Sequence, residues 1–303
     1  MKILVTGSKG FLGRYVVNGL QSNGHLVLHY DLEDGCDILD ADAFLVAVED
    51  SDLCIHLAAV ADLYDAEANQ NLCERVNIEG TRIVAECCQS NGVRLLFIST
   101  VCAYGNNDCE IQSESSPLVP TEIYAKSKAD AEILLSTIPH LDYRIIRPAT
   151  FYGIGMRETL VIKKFLDSSL NGGRIEIHGS GEQTRCYTHV NDVTSAIVLI
   201  AEQWPEDLHF NVASLEEVSV NDLVGVISSI TEIDLIPTYV PDRIGQIERS
   251  RIDISRMESL GWTPQITLAE GVLQLLEHEL RGPQQSTEGI SYSNNENGLS
   301  RKR

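Results

Sequence analysis

Positive charge is scarce in this chain. Of its 303 residues, 23 are Lys or Arg and 44 are Asp or Glu, a formal net charge of −21. Nucleic acids and anionic membranes are held by basic faces, so neither is expected as the main partner. Long apolar runs are missing too: a stretch such as 196–201 is far short of the roughly 20 residues of a spanning helix. Lys2 leads straight into Ile3-Leu4-Val5 and a glycine-rich turn, with no leader pattern, so a cytoplasmic location is expected. The cysteines at 36, 54, 73, 87, 88, 102, 109 and 186 contain no Cys-x-x-Cys pair and no zinc-finger spacing. Cys186-Tyr-Thr-His189 offers half a metal site without a second half. No metal is expected, and most thiols read as buried side chains in a reducing compartment.

What is present is an ordinary globular composition, 43% apolar and 22% charged, with ample length for a core. Apolar runs at 2–6, 25–30, 53–57, 95–98 and 143–146 read as strands. Amphipathic stretches at 10–23, 69–91 and 121–137 read as helices, with an apolar-faced segment at 43–48 and Asn91-Gly92 as a stop signal. Strands alternating with helices imply βαβ units and a parallel sheet. After about residue 150 turns become frequent. Between Tyr143 and His189 seven Lys/Arg stand against four acids, a local excess that suits a basic pocket wall for an anionic substrate. The segment 282–303 is rich in Ser, Asn, Gln and Gly and is expected to be a disordered tail.

Thr6-Gly7-Ser-Lys-Gly10-Phe11-Leu12-Gly13 follows the first strand and opens the first helix. Glycines placed there permit a tight turn and bring backbone N–H groups close to a pyrophosphate. Asp31 ends the second strand, eighteen residues after Gly13. A carboxylate in that place accepts hydrogen bonds from ribose hydroxyls and repels a 2′-phosphate. No Lys or Arg lies between Tyr15 and Arg75 to receive such a phosphate, so NAD is favoured over NADP, against which Arg14, beside the last glycine, could reach the ribose from the other side.

Tyr124-Ala-Lys-Ser-Lys128 sits at the start of the 121–137 helix. Residues four apart share a helix face, about 6 Å apart along the axis. An ammonium there is expected to lower the Tyr124 pKa and equip it for general acid/base work on a hydroxyl or ketone. Ser99-Thr100 supplies hydroxyls at a strand end upstream.

The ordered set TGSKGFLG (6–13), Asp37-Ile38, HLAA (56–59), Asn77 in VNIEGT, STVCAYG (99–105), YAKSK (124–128), RPATFYGIG (147–155), GSGEQTRCYTHVND (179–192), Phe210-Asn211-Val212 and Leu260-Gly261-Trp262 resembles the extended short-chain dehydrogenase/reductase family, in its nucleotide-sugar epimerase/dehydratase group. The resemblance runs from Lys2 to about Leu280. It implies an α/β fold: a doubly wound parallel sheet of Rossmann type over 1–150, completed by about 181–212. A smaller mixed α/β substrate-binding domain would comprise 151–180 and 213–281. It implies that Gly7, Gly10 and Gly13 cradle the NAD pyrophosphate with backbone contacts from Phe11 and Leu12. Asp31 would bind the ribose, Asp37 and Ile38 flank the adenine, and Leu57, Ala58 and Ala59 line the cofactor path. Thr100 would hydrogen-bond the reacting sugar oxygen, Tyr124 act as acid/base, and Lys128 also hold the nicotinamide ribose. Arg185 and Arg243 would grip a substrate diphosphate, a task that suits a bidentate guanidinium. Thr150 stands at a substrate-contacting position, and a homodimer through the helices 69–91 and 121–137 is implied.

Departures narrow the implied activity. Dehydratases of this group carry Asp-Glu after the catalytic Thr, where Val101-Cys102 stands here. Thr150 replaces an Asn, and Gln246 an Asp, found in many 4-epimerases. The first reading is therefore an NAD-dependent 4-epimerase of a nucleotide-diphosphate sugar, through a transient 4-keto intermediate. A 4-ketoreductase or dehydrogenase of such a sugar is the alternative, and a non-catalytic NAD-binding regulator a more distant one. Cys102 could be an acid/base group in relatives that epimerise C3 and C5. The partner it would need is absent, since Thr159 and the permanently charged Arg157 stand downstream.

Overall fold

The computed structural model describes residues 1–243 and 245–281; the tail expected at 282–303 lies outside the described residues. The chain runs β1 (Lys2–Thr6), α1 (Phe11–Ser22), β2 (Leu26–Tyr30), α2 (Ala41–Val48), β3 (Leu53–His56), α3 (Leu63–Ala68), α4 (Gln70–Glu74), α5 (Thr81–Asn91), β4 (Arg94–Ile98), α6 (Ile123–Thr137) and β5 (Tyr143–Pro148). It continues with β6 (Phe151–Tyr152), α7 (Val161–Leu170), β7 (Arg174–His178), β8 (Thr184–Arg185), β9 (Thr188–His189), α8 (Val190–Gln203) and β10 (His209–Val212). β11 (Val218–Ser219), α9 (Val220–Thr231), β12 (Ile236–Val240), α10 (Ser255–Ser259) and α11 (Leu268–Arg281) complete it.

Six strands form one sheet in the order β10-β5-β4-β3-β1-β2, each pair parallel. Successive strand residues point to opposite faces, and the sequence uses both. Ile3, Val5, Leu53, Ile55, Leu96 and Ile98 join a core with α1 and α8. Leu4, Cys54, Leu95 and Phe97 join a second core with α2, α5 and α6. This is the doubly wound Rossmann arrangement that the alternation of elements implies. The connections reverse direction between β1 and β3, so the crevice above the carboxyl ends of these two strands is where such a sheet takes a ligand.

A third core lies in the later half, where Tyr152, Phe165, Leu166, Ile175, Ile177, Leu223, Ile227, Val272 and Leu275 pack together. The 213–281 stretch does not all belong there: Ile254, Met257 and Trp262 pack into the first core. No helix among the described residues is long and apolar enough to cross a membrane.

Two expected helices are altered. The 69–91 helix is interrupted between α4 and α5 by a π-helical turn at Arg75–Gly80. Asn77, inside that turn, bonds the main chain of Val60 through both amide atoms, at 2.8 and 3.0 Å. The helix thereby reaches out to the loop after β3, and Asn77 satisfies backbone groups. The 121–137 helix starts at Ile123, with Glu122 as its extended N-cap residue, which puts Tyr124 in the first turn.

Candidate active site

The site is assembled at the carboxyl ends of β1, β3 and β4. Gly7 leaves β1 with a left-handed φ of 66°, and a Cβ there would lie 2.8 Å from the amide nitrogen of Ala58. A Cβ on Gly13 would lie 2.0 Å from the Gly7 carbonyl oxygen, so the helix start can fold onto the turn only without side chains. Gly10 caps α1 with no side-chain bond, and the amides of Phe11, Leu12 and Gly13 have no acceptor among the described residues. Thr6 Oγ1 accepts from the amides of Leu57 and Ala58, both at 3.2 Å, and is fixed by His56 Nδ1 at 2.7 Å. The cradle and the Leu57–Ala59 path thus form one unit. Free first-turn amides, and the buried Ser8 and Ser99 hydroxyls without partners, fit the phosphate-rich body of a dinucleotide.

Asp31 faces this cradle but is already engaged. Its Oδ2 accepts from the Lys9 amide at 2.8 Å and its Oδ1 from the Glu33 amide at 3.0 Å. It therefore caps the loop, and its remaining lone pairs are what a ribose could use. Lys9 sends its ammonium to Asp34 beside it, a cation near the ribose end within the glycine motif. Arg14 instead has a guanidinium nitrogen 3.5 Å from where a Cβ of Gly155 would sit. Asp37 binds the Leu39 amide at 2.9 Å, and its carbonyl accepts from the Tyr30 hydroxyl at 3.0 Å. Ile38 is buried in the second core.

Thr100 lies two residues past β4, and its hydroxyl accepts from the Cys102 amide at 3.1 Å, capping a short 3-10 turn at Val101–Tyr104. Lys128 is buried and donates to the Ile98 carbonyl at 2.8 Å, which pins α6 to the same strand end. Farther along α6, Glu132 meets Arg147 in a buried ion pair, and Arg147 also donates to the Tyr104 hydroxyl at 2.8 Å. Tyr104 in turn donates to Asn211 at 2.7 Å. α6, β5, β10 and the 3-10 turn are therefore tied around Tyr124.

The electrostatics correct one expectation. The Tyr124 phenol is pushed up, by burial first and then by the Cys102 thiol, with Arg157 opposing. Lys128 does not supply the expected lowering, because its ammonium is turned to the Ile98 carbonyl and lies over the Phe97 ring. Burial brings Lys128 itself down to about 8. The cation that acts on Tyr124 is Arg157, which pairs with Asp62 at 3.1 Å; Thr159 donates to the same carboxylate at 3.0 Å.

Arg185 donates to the carbonyls of Thr184 and Ile247, both at 2.7 Å. Arg243 donates to Glu122 at 2.7 Å. The Thr150 carbonyl accepts from the Thr188 amide at 2.8 Å, joining β6 to β9. The basic excess at 143–189 does not form one wall. Arg147 is buried against Glu132, Arg144 binds Pro205 and Asp142, and Lys163 pairs with Asp167 and Glu279. Of the seven, Arg157 and Arg185 act on groups of the site. Sequence reasoning missed Glu122, Asp62 and Lys9. Glu122 was open to view two residues before Tyr124, and Lys9 within the glycine motif.

A glycine cradle over the switch point of a parallel sheet, with a Tyr-x-x-x-Lys helix pinned beside it, defines an NAD-dependent enzyme of the extended short-chain dehydrogenase/reductase class. Residues 3–213 match the family described as the NAD dependent epimerase/dehydratase family, and the chain belongs to it. It is similar to UDP-glucose 4-epimerase of Mycolicibacterium smegmatis, 32% identical over 91% of this chain and 98% of that one. Among solved structures it is similar to the UDP-glucose 4-epimerase of Thermotoga maritima with UDP-glucose, 28% identical with a TM-score of 0.86, over 93% and 99% of the two chains. The dTDP-glucose 4,6-dehydratase DesIV of Streptomyces venezuelae, solved with NAD, is 26% identical with a TM-score of 0.86, over 93% and 98%.

Proposed function

We propose that this enzyme is a 4-epimerase of a nucleotide-diphosphate sugar, working through a transient 4-keto sugar. The observation that carries this reading is the turn after Thr100. Dehydratases of the group resembled here place their acid pair there, whereas this chain has Val101, buried in the first core, and the Cys102 thiol. That thiol is pushed up by burial and by Glu122, while Thr100, Arg185 and Arg243 pull it back. The basic partner such a thiol needs is missing downstream, where Thr159 and the permanently charged Arg157 stand, both engaged with Asp62.

NAD, when bound, supplies the acceptor and donor of the C4 hydride. Tyr124 is the acid/base group for the C4 hydroxyl; burial favours its neutral form, and the positive charge of an oxidised nicotinamide, when bound, would join Arg157 in opposing that burial. Thr100 holds the same oxygen by a hydrogen bond, and Lys128 keeps the helix of Tyr124 in place. Arg185 and Arg243 hold the diphosphate, leaving the sugar to turn between its two faces. The relatives named above are described with UDP-glucose or dTDP-glucose, and a hexose carried on such a diphosphate is the substrate class proposed here.

Turnover of UDP-glucose and dTDP-glucose in D₂O tests the reading. The expected product is an epimer of unchanged formula with no carbon-bound deuterium. Deuterium at C3 or C5 that disappears in Cys102→Ser would replace this function by 3,5-epimerisation. A product lighter by one water would replace it by dehydration.

A further inference from the structure

Glu122 occupies the N-cap position of α6, yet its side chain does not cap the helix. It is buried, and its Oε1 accepts from Arg243 Nη2 at 2.7 Å. The Arg243 guanidinium has no other acceptor among the described residues, and its Nε is buried without one. Burial pushes the Glu122 carboxyl up, while Arg243 and Arg185 pull it back.

The loop that carries Arg243 is clasped from three sides. Thr121 donates to the Gly245 carbonyl at 2.6 Å, and a Cβ on Gly245 would lie 2.7 Å from the Thr121 carbonyl oxygen. Asn106 donates to the Gln246 carbonyl at 2.8 Å and accepts from the Glu248 amide at 2.9 Å. Arg185 donates to the Ile247 carbonyl. These contacts fix the backbone around Arg243, and Glu122 fixes its head group. Glu122 itself stands two residues before Tyr124.

A carboxylate on an arginine meant for a dianion has two opposed effects. It cancels charge that would attract the diphosphate. It also fixes a side chain with much rotamer freedom, so that less is lost when a ligand binds. Glu122 is buried and Arg243 half-buried, where a fixed and fully charged donor is worth more than one that must first be ordered and desolvated.

We propose that Glu122 is a positioning residue for Arg243: it holds one nitrogen of the guanidinium beside the start of α6 and leaves the rest of the fork to a substrate diphosphate. The proposal rests on the reading that Arg243 meets that diphosphate.

The test is calorimetric binding of UDP and dTDP, with NAD titrated separately, and steady-state kinetics on the sugar nucleotides. Glu122→Ala is expected to weaken nucleotide diphosphate binding by about tenfold, the scale of a lost charged hydrogen bond, with NAD affinity unchanged. In turnover KM should rise more than kcat falls. Glu122→Gln keeps an acceptor oxygen and should stay within about threefold of the parent chain. If Glu122→Ala does not fold, Glu122→Met, which fills the space without an acceptor, is read in the same way. Diphosphate binding in the Ala or Met variant as tight as in the parent chain, or tighter, would overturn the proposal, since the carboxylate would then be a competitor. Equal loss of NAD affinity would also overturn it, marking the residue as structural. Arg243→Ala separates the underlying reading: if it leaves diphosphate affinity untouched, that reading fails whatever Glu122 does.

Discussion

The Lys128 ammonium donates to the main-chain carbonyl of Ile98, 2.8 Å away, and through that bond the first turns of α6 are fastened to the end of β4. Thr100 follows two residues after the strand and Tyr124 lies one helical turn earlier on the helix. A single buried bond therefore joins the chain segments that carry the two hydroxyls. Its cost is an ammonium taken out of water, and burial brings Lys128 down to about 8.

Tyr124→Phe removes only the phenolic oxygen. The ring still fills its place and the bond from Lys128 to Ile98 does not involve it. The variant should lose roughly 10²–10⁴ in rate, the range for removing a general acid/base, while NAD binds almost as before. Single-turnover kinetics and an NAD titration check this together. Retention of most activity would remove Tyr124 from the mechanism.

The nature of the sheet was legible because strand and helix periods alternate cleanly through residue 148, and because Ile3, Leu4 and Val5 are apolar on both faces, as a covered parallel strand must be. The later elements were not, since short two-residue strands such as β6, β8 and β9 leave no period to read. The cradle and the Tyr124–Lys128 pair are local in sequence and were readable as motifs. The partners of Arg243, Arg157 and Thr159 come from residues 95 to 121 positions away, a pairing that no spacing rule encodes. The expected effect of Lys128 on Tyr124 failed for the same reason, because the competing acceptor belongs to another strand.

Cofactor choice turns on two carboxylates. Asp31 sits where the ribose is expected, and Asp34 holds the ammonium of Lys9, a cation of the glycine motif. A 2′-phosphate would meet one carboxylate and find the ammonium occupied. NADP should bind at least ~10-fold more weakly than NAD, the scale of a like-charge contact near a protein surface. Asp34→Asn frees Lys9 and should narrow the gap by raising NADP affinity alone. Fluorescence titration of both cofactors measures this. Equal binding of the two by the parent chain would show the ribose assignment to Asp31 to be wrong.

Acid should weaken the fold before most carboxylates titrate. Burial brings His56 down to about 3 and His189 to about 4, against about 6.5 in an unfolded chain. Below pH 6.5 the unfolded state takes up protons that the folded state refuses. Stability is thus full above that pH and is lost as pH falls toward the folded values. Each histidine approaches a limiting slope of about 1.4 kcal/mol per pH unit, so the two together give about 2 kcal/mol between pH 6 and 5. Glu114, Glu122 and Asp192, all pushed up by burial, act in the opposite sense and flatten the loss lower down. Urea unfolding at pH 7 and pH 5 should show this drop. An unchanged midpoint would mean that these histidines are not held neutral.

The outer face of α4 and α6 should be the surface on which two copies of this chain meet. Ile133 on α6 is 60% exposed and Leu72 on α4 is 42% exposed, although α6 packs its opposite side and α4 buries Cys73. The stripe at Ile133 and Leu134 therefore does not simply face its own sheet: Ile133 points away from it and Leu134 is half-buried. Between the two helices runs a shallow groove lined by Gln70, Glu74, Ile78, Ile123, Lys126 and Asp130. A two-fold pairing would set each copy's α6 against such a groove and bury both apolar side chains, which single exposed residues of this size do not otherwise require. Sedimentation at micromolar concentration should give twice the mass of the chain. Ile133→Glu should shift it to the monomer, because two buried carboxylates would face each other across the axis. A parent chain that sediments as a monomer, or an Ile133→Glu variant that still sediments as a dimer, would move the interface elsewhere or abolish it.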